Sequence, residues 1–259
     1  MSLVLVIGAT RGLGAELIKR YANNSSTQKV SGTTRSDHGP TDFPENVKWL
    51  TGIDLTNEEA AVSIVTQLKG VNSIDTVIIT AGHFSTEDFT SGKGPNWSEE
   101  VKMYTTSSIA PVFLIHKLVH ANLLVAGSKI VLVSSEAGSI GLRHEKEGGG
   151  NYAHHASKAA LNMVGKLLSL DLKDRGIIVS IVHPGFMRTD MTAGVGYDKY
   201  WDAGGAVTPD VAAKSLVEWI NRLTLDRSGE YWAPRGPGDI GTAESVLGKN
   251  LSTPLQLPW

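Results

Sequence analysis

Short β-branched runs alternate along the chain with longer segments whose apolar residues recur at helical spacing. The runs Leu3–Ile7, Val30–Thr34, Val47–Leu50, Thr76–Thr80, Ile130–Ser134, Ile177–Val182 and Glu230–Ala233 predict strands. The segments Ala15–Ala22, Glu58–Leu68, Glu99–Leu124, Ala156–Arg175 and Asp210–Leu223 predict amphipathic helices. The strands are almost continuously apolar, as expected when helices cover both faces of a sheet. Alternation of this kind predicts a parallel sheet with right-handed crossovers. The expected fold class is therefore α/β, with one domain over residues 1–259 and a doubly wound parallel sheet of about seven strands. Ser85–Trp97 and Leu142–Asn151, the latter with Gly148-Gly149-Gly150, read as surface loops. Residues 189–208 mix glycines with Tyr197, Tyr200 and Trp201, which fits a flap over a site or a plain surface excursion.

The first predicted strand runs directly into Gly8-Ala9-Thr10-Arg11-Gly12-Leu13-Gly14 and then a helix. Glycines at such a turn allow it to be tight, let backbone approach a pyrophosphate, and let the helix pack on the strand. Free N–H groups and the positive end of the helix dipole then face the phosphates. A glycine triplet alone is weak; placed between a strand and a helix it marks a dinucleotide site of the Rossmann type. Charge selects the cofactor. An acid at the end of the second strand takes the ribose 2′-OH of NAD, whereas an arginine there accommodates the 2′-phosphate of NADP. That strand ends Thr33-Thr34-Arg35, with no acid before Asp37, and Arg11 lies within the turn itself. Guanidinium matches phosphate through paired N–H donors. NADP is the expected cofactor.

Composition narrows the function classes. The chain of 259 residues is 41% hydrophobic and 19% charged, ordinary values for a globular domain. Its 24 basic and 26 acidic residues leave a net charge of −2, so no global field recruits nucleic acid or an anionic membrane. With no cysteine, disulfides, thiolate metal sites and cysteine nucleophiles are excluded. No apolar stretch has the ~20 residues of a membrane span. A cytoplasmic location and a small-molecule substrate are the expectations, with no nucleic acid, membrane or metal partner. Among the histidines, His116 and His120 share a helical face without a carboxylate ligand and read as solvated or subunit-facing.

With these motifs in place the chain resembles the short-chain dehydrogenase/reductase family along nearly its whole length. Gly8–Gly14 matches the family's cofactor turn, and Asp54-Leu55 its adenine-contacting pair. Thr80-Ala81-Gly82 resembles the family's Asn-Ala-Gly motif with Thr for Asn. Val133-Ser134-Ser135 matches the strand end that carries the catalytic serine, placed here at Ser135, and Ser157-Lys158-Ala159 the helix with the catalytic lysine, Lys158. Pro184-Gly185-Phe186-Met187-Arg188-Thr189 matches the turn whose threonine meets the nicotinamide amide. The long Ser135–Lys158 separation, the glycine run and the terminal Leu257-Pro258-Trp259 are similar to the C-signal/sniffer-like carbonyl reductase branch. The resemblance implies that Ala81, Gly82, Pro184, Gly185, Thr189 and Lys158 help bind cofactor. It also implies a homodimer paired through Glu99–Leu124 and Ala156–Arg175.

The match breaks at the acid/base. The family places a tyrosine four residues before the lysine, whereas here that position is His154 and Tyr152 is two residues further away. Residues four apart share a helical face and residues six apart do not. Ser107 stands where the family has its asparagine. The catalytic set implied by the resemblance is therefore Ser107, Ser135, His154 and Lys158. An imidazolium at His154 would protonate an alkoxide directly, but Lys158 disfavours that charge. A neutral His154 with Ser135 would polarise a carbonyl. Three functions fit. The first is an NADP(H)-dependent carbonyl reductase or alcohol dehydrogenase for a small apolar or aromatic compound. The second is a non-redox isomerase, dehydratase or cyclase that retains the dinucleotide, and the third is a catalytically silent cofactor-binding protein. The aromatics Phe186, Tyr197, Tyr200 and Trp201 point to an apolar ligand. His83 fits a substrate-facing or plain loop residue, His183 a packed strand-end residue, and His155 a side chain turned away from His154. Arg143, His144 and Glu145 lie on an insertion near the expected site.

Overall fold

A computed structural model of the chain describes residues 3–24, 29–87, 89 and 94–259. Part of the predicted loop Ser85–Trp97 thus lies outside the described residues. The strands are β1 (Leu3–Ile7), β2 (Lys29–Thr33), β3 (Val47–Leu50), β4 (Thr76–Ile79), β5 (Lys129–Val133), β6 (Ile178–Val182), β7 (Tyr231–Ala233) and β8 (Leu255–Gln256). They form one sheet in the order β3-β2-β1-β4-β5-β6-β7-β8. All neighbours pair in parallel except β7 and β8. The expected seven parallel strands are present, and the antiparallel eighth extends the edge. Its two residues carry no apolar run from which a strand could be read.

The helices are α1 (Gly12–Ala22), α2 (Ala60–Gln67), α3 (Trp97–Tyr104), α4 (Ala110–His120), α5 (Tyr152–Leu172), α6 (Asp190–Gly194), α7 (Pro209–Asn221) and α8 (Ala243–Leu247). One apolar cluster gathers Leu5, Ile7, Ile64, Leu114, Leu132 and Leu161, and another Val4, Val6, Leu17, Val131, Leu216 and Trp219. Adjacent residues of β1 and β5 alternate between these clusters, which accounts for the continuous apolar runs. No helix among the described residues is long and apolar enough to cross a membrane.

Two helical expectations are corrected. Glu99–Leu124 is not one helix, because a π-helical turn over Thr105–Ile109 separates α3 from α4. Pro111 supplies the reason: it lacks the N–H that would bond to the carbonyl of Ser107, and its ring crowds that carbonyl. Helix α5 begins at Tyr152, four residues before the predicted Ala156. His154 and Lys158 therefore lie one turn apart on a continuous helix.

The strand order reverses between β1 and β4, so ligand space opens at the carboxyl ends there. Gly8, with φ +86°, follows β1, and a Cβ on it would lie 2.7 Å from Ala81 Cα after β4. A Cβ on Gly14 would lie 2.1 Å from the Gly8 carbonyl oxygen. Both glycines are needed because backbone meets backbone here. Thr33 Oγ1 accepts the Gly8 N–H at 2.9 Å, and Thr80 Oγ1 donates to the Gly8 carbonyl, also at 2.9 Å. Thr80 thus braces the turn from the β4 side.

Candidate active site

A cavity of about 960 Å³ runs across the carboxyl ends of the central strands. At one end it is lined by Gly8, Thr10, Arg11, Gly12, Leu13, Gly14, Arg35, Asp54 and Leu55. Ala81, Gly82, Pro184, Gly185 and Thr189 line it further on, beside Ser135, His154 and Lys158. All the sequence-predicted cofactor residues thus share one space. Ser107 is the exception among the predicted site residues: it is buried in the π-helical turn, and its neighbour Thr106 lines the cavity instead. Its Oγ has no hydrogen-bond partner among the described residues.

The glycine end fits a dinucleotide phosphate. Helix α1 has no side chain capping its first turn, which leaves backbone donors open to an incoming anion. Arg11 and Arg35 are exposed at the cavity and make no ion pair among the described residues. Asp54 Oδ1 accepts from the Thr56 N–H at 2.9 Å and hydroxyl at 2.8 Å, and the backbone bond is the main cause of its lowered pKa.

At the other end, the two serines after β5 diverge. Ser134 is buried, and its hydroxyl donates to Asn162 Oδ1 at 2.6 Å. Ser135 faces the cavity, and its Oγ accepts the Ala137 N–H at 3.2 Å. Because Oγ is the acceptor there, its hydrogen remains free to donate to a ligand. The turn that carries Ser135 rests directly on α5: a Cβ on Gly138 would come within 2.6 Å of the Lys158 carbonyl carbon.

Lys158 is buried, and its Nζ donates to the Val133 carbonyl at 3.0 Å. Burial lowers its pKa to about 8. His154 sits half-buried at the cavity wall, its ring stacked on Phe84 at 4.0 Å. Burial first, then the Lys158 and His155 charges, lower its pKa to about 3, so the ring is neutral at physiological pH. Its Nδ1 is buried without a partner among the described residues. Tyr152 is 49% exposed and packs edge-on against Phe89, so it does not take the position one turn before Lys158.

Neighbouring loops line this end and meet the head of α5. Glu87 accepts the Tyr152 and Ala153 N–H groups at 2.9 and 3.0 Å, capping α5 from 65 residues away. Asn151, at φ +52°, donates to the Tyr197 hydroxyl at 2.6 Å, which ties the 189–208 segment to the head of α5. Phe84, Phe186, Tyr197 and Tyr200 line the cavity, whereas Trp201 turns away to bond Thr192 Oγ1. Arg143 faces the cavity paired to Glu136 and Glu147, but His144 and Glu145 do not line it. His83 also lines it, bonded to Glu99. His155 bonds the Asn151 carbonyl at 2.9 Å, and His116 and His120 are exposed neighbours on α4. Nothing in the sequence singles out Phe84, Glu87 or Glu136. Asp239 had one signal, an acid in the glycine-rich Gly236–Gly241 segment just past a strand's carboxyl end.

The chain belongs to the short chain dehydrogenase family, whose match spans residues 2–199. It is 29% identical over 239 residues to a 1-hydroxy-2-glutathionyl-2-methyl-3-butene dehydrogenase of Rhodococcus sp. (strain AD45), covering 89% of this chain and 96% of that one. Its fold is similar to the carbonyl reductase Sniffer of D. melanogaster, with TM-score 0.75 and 24% identity over 100% of both chains. An NADPH-bound carbonyl reductase from chicken fatty liver superposes with TM-score 0.74 and 26% identity, covering 90% of this chain and 97% of that one.

The Gly138 contact yields the first prediction. Gly138→Ala must push the Ser135 turn away from Lys158, at a cost of about 1–3 kcal/mol of stability. Urea denaturation should show that loss.

Proposed function

We propose that the protein is an NADP(H)-dependent oxidoreductase that interconverts a small apolar or aromatic carbonyl compound and its alcohol. The observation that carries this reading is the single cavity shared by the glycine turn, the two arginines, Ser135, His154 and Lys158. Bound NADPH supplies hydride to the carbonyl carbon. Arg11 and Arg35 hold the 2′-phosphate, and α1 presents its first-turn N–H groups to the pyrophosphate. Ser135 donates its free hydroxyl hydrogen to the carbonyl oxygen, and a ring N–H of neutral His154 donates beside it. As charge develops on that oxygen, the ring proton passes to it. The loss leaves His154 as an imidazolate, an anion that the positive charge of Lys158 would stabilise, and Lys158, protonated at physiological pH with a pKa of about 8, would return the proton to the ring and become neutral. Phe84, Phe186, Tyr197 and Tyr200 provide the apolar wall.

A second reading has one specific observation behind it. A histidine held neutral polarises a carbonyl without needing to ionise, which suits enolisation or isomerisation over a retained dinucleotide. Absorbance at the reduced-nicotinamide band separates the two, since product formed with no change in cofactor redox state rules out the reductase for that substrate.

Pairing of two copies is supported by exposed apolar residues on the outer faces of α4 and α5: Val112, Phe113, Met163, Leu167 and Leu170. Light scattering should give twice the chain mass, and Met163→Glu with Leu167→Glu should return it to one.

Two predictions test the chemistry. Arg35→Ala should weaken NADPH binding about 10–100-fold, the range of a lost charged hydrogen bond, with little effect on NADH; equal losses for both cofactors would remove the 2′-phosphate assignment. Reduction of a panel of aromatic aldehydes and ketones should hold its rate below pH about 8 and fall above it. The sign follows from Lys158: its pKa is lowered, and the protonated form that restores the proton is lost as pH rises through about 8. A rate that instead rises continuously toward pH about 3 would assign the proton to a His154 imidazolium.

A further inference from the structure

The peptide joining Ser135 to Glu136 is held at both of its polar atoms. Its carbonyl accepts the Tyr231 hydroxyl, and its N–H donates to His183 Nδ1 at 3.1 Å. Both side chains are buried and come from the neighbouring strands, Tyr231 from β7 and His183 from the end of β6. A peptide unit is planar, so fixing its oxygen and its hydrogen fixes the whole plane. That plane sets the backbone angle of Ser135, ψ 146°, and with it the direction of the side chain whose hydrogen is free for a ligand.

A neutral imidazole that accepts at Nδ1 carries its proton on Nε2. His183 Nε2 lies 3.8 Å from Asp239 Oδ1, and both atoms are buried without a hydrogen-bond partner among the described residues. The gap exceeds hydrogen-bond length, yet in a water-poor wall the carboxylate still favours the tautomer whose N–H faces it. Asp239 stays ionised: burial raises its pKa, but His183, the Phe186 N–H and Arg235 together outweigh that. Its Oδ2 accepts the Phe186 N–H at 2.8 Å and lies 3.6 Å from Arg235 Nε. One carboxylate therefore touches both the turn after β6 and the imidazole that holds the serine peptide. Leaving buried polar atoms unpartnered is unfavourable. Mere anchorage of the Ser135 turn would not require it, since Asn162 Nδ2 already bonds the Gly138 carbonyl at 3.2 Å.

We propose that His183, Tyr231 and Asp239 are positioning residues that aim the Ser135 hydroxyl at the substrate carbonyl and couple its direction to the turn over the nicotinamide. The proposal rests on Ser135 acting as a hydrogen-bond donor in carbonyl reduction. Nitrogen NMR of the full chain with NADPH should find His183 as the Nε2–H tautomer. Amide exchange at Glu136 should accelerate about tenfold or more in His183→Leu and remain near wild type in His183→Asn, whose Oδ1 replaces Nδ1 as acceptor. Reduction by Tyr231→Phe and His183→Leu should lose about tenfold in kcat with KM for the carbonyl compound within about twofold, and His183→Asn should restore most of kcat. An Nδ1–H tautomer, unchanged Glu136 exchange in His183→Leu, or equal kcat losses in His183→Leu and His183→Asn would overturn the proposal. Tautomer and exchange do not depend on turnover. A wild type that binds NADPH but reduces no carbonyl compound would therefore remove the reductase reading, while those two measurements still decide whether the clamp exists.

Discussion

Helix α5 has to lie against the turn after β5 at backbone distance, and most of the reactive end of the cavity depends on that contact. Gly138 permits it, because any Cβ there would overlap the Lys158 backbone. Once the two surfaces meet, Ser134 and Asn162 lock them from beneath and Ser135 is left facing the cavity. Lys158 then reaches under the strand end to the Val133 carbonyl. The same helix register that buries Lys158 presents His154 one turn earlier. Serine, histidine and lysine are thus brought together by a missing side chain rather than by attraction among themselves.

Electrostatics at this end run opposite to the ordinary behaviour of histidine. A solvated imidazole titrates close to neutrality. Stacked on Phe84 and facing the charge of Lys158, His154 stays neutral far into acid. Burial also lowers the Lys158 pKa toward the physiological range. In the proposed reduction the pair would divide the work by protonation state, His154 giving up a ring proton and Lys158, with a pKa of about 8, returning one to it. The glycine end uses the complementary principle. Its donors are the uncapped first-turn N–H groups of α1 and the exposed guanidinium groups of Arg11 and Arg35, which in the proposed function would take the phosphates.

Much of this was legible in the sequence, for physical reasons. Parallel strands covered on both faces must be apolar at successive positions, so their runs stand out. The glycine turn is readable because close backbone approach tolerates no other residue at Gly8 and Gly14. Most of what escaped depends on contacts between distant segments. Leu255–Gln256 becomes a strand only because β7 offers it a partner. The break at Thr105–Ile109 follows from Pro111, a single residue within an otherwise helical apolar pattern, and Ser107 within it is buried instead of at the cavity wall. His183 could be read as a packed strand-end residue, but nothing local announces that its ring holds Glu136 or faces Asp239.

The head of α5 shows how the loops and the reactive helix share one boundary. Asn151 occupies the cap position in a left-handed conformation but spends its side chain on Tyr197, and the capping of the helix falls to Glu87 on another loop. Each loop therefore holds one half of a helix terminus that neither completes alone. Moving residues 189–208 away would free an asparagine at that terminus, and displacing Glu87 would expose the first N–H groups of the helix on which His154 rides. A ligand that displaced either segment would thereby loosen the first turn of the helix that carries His154.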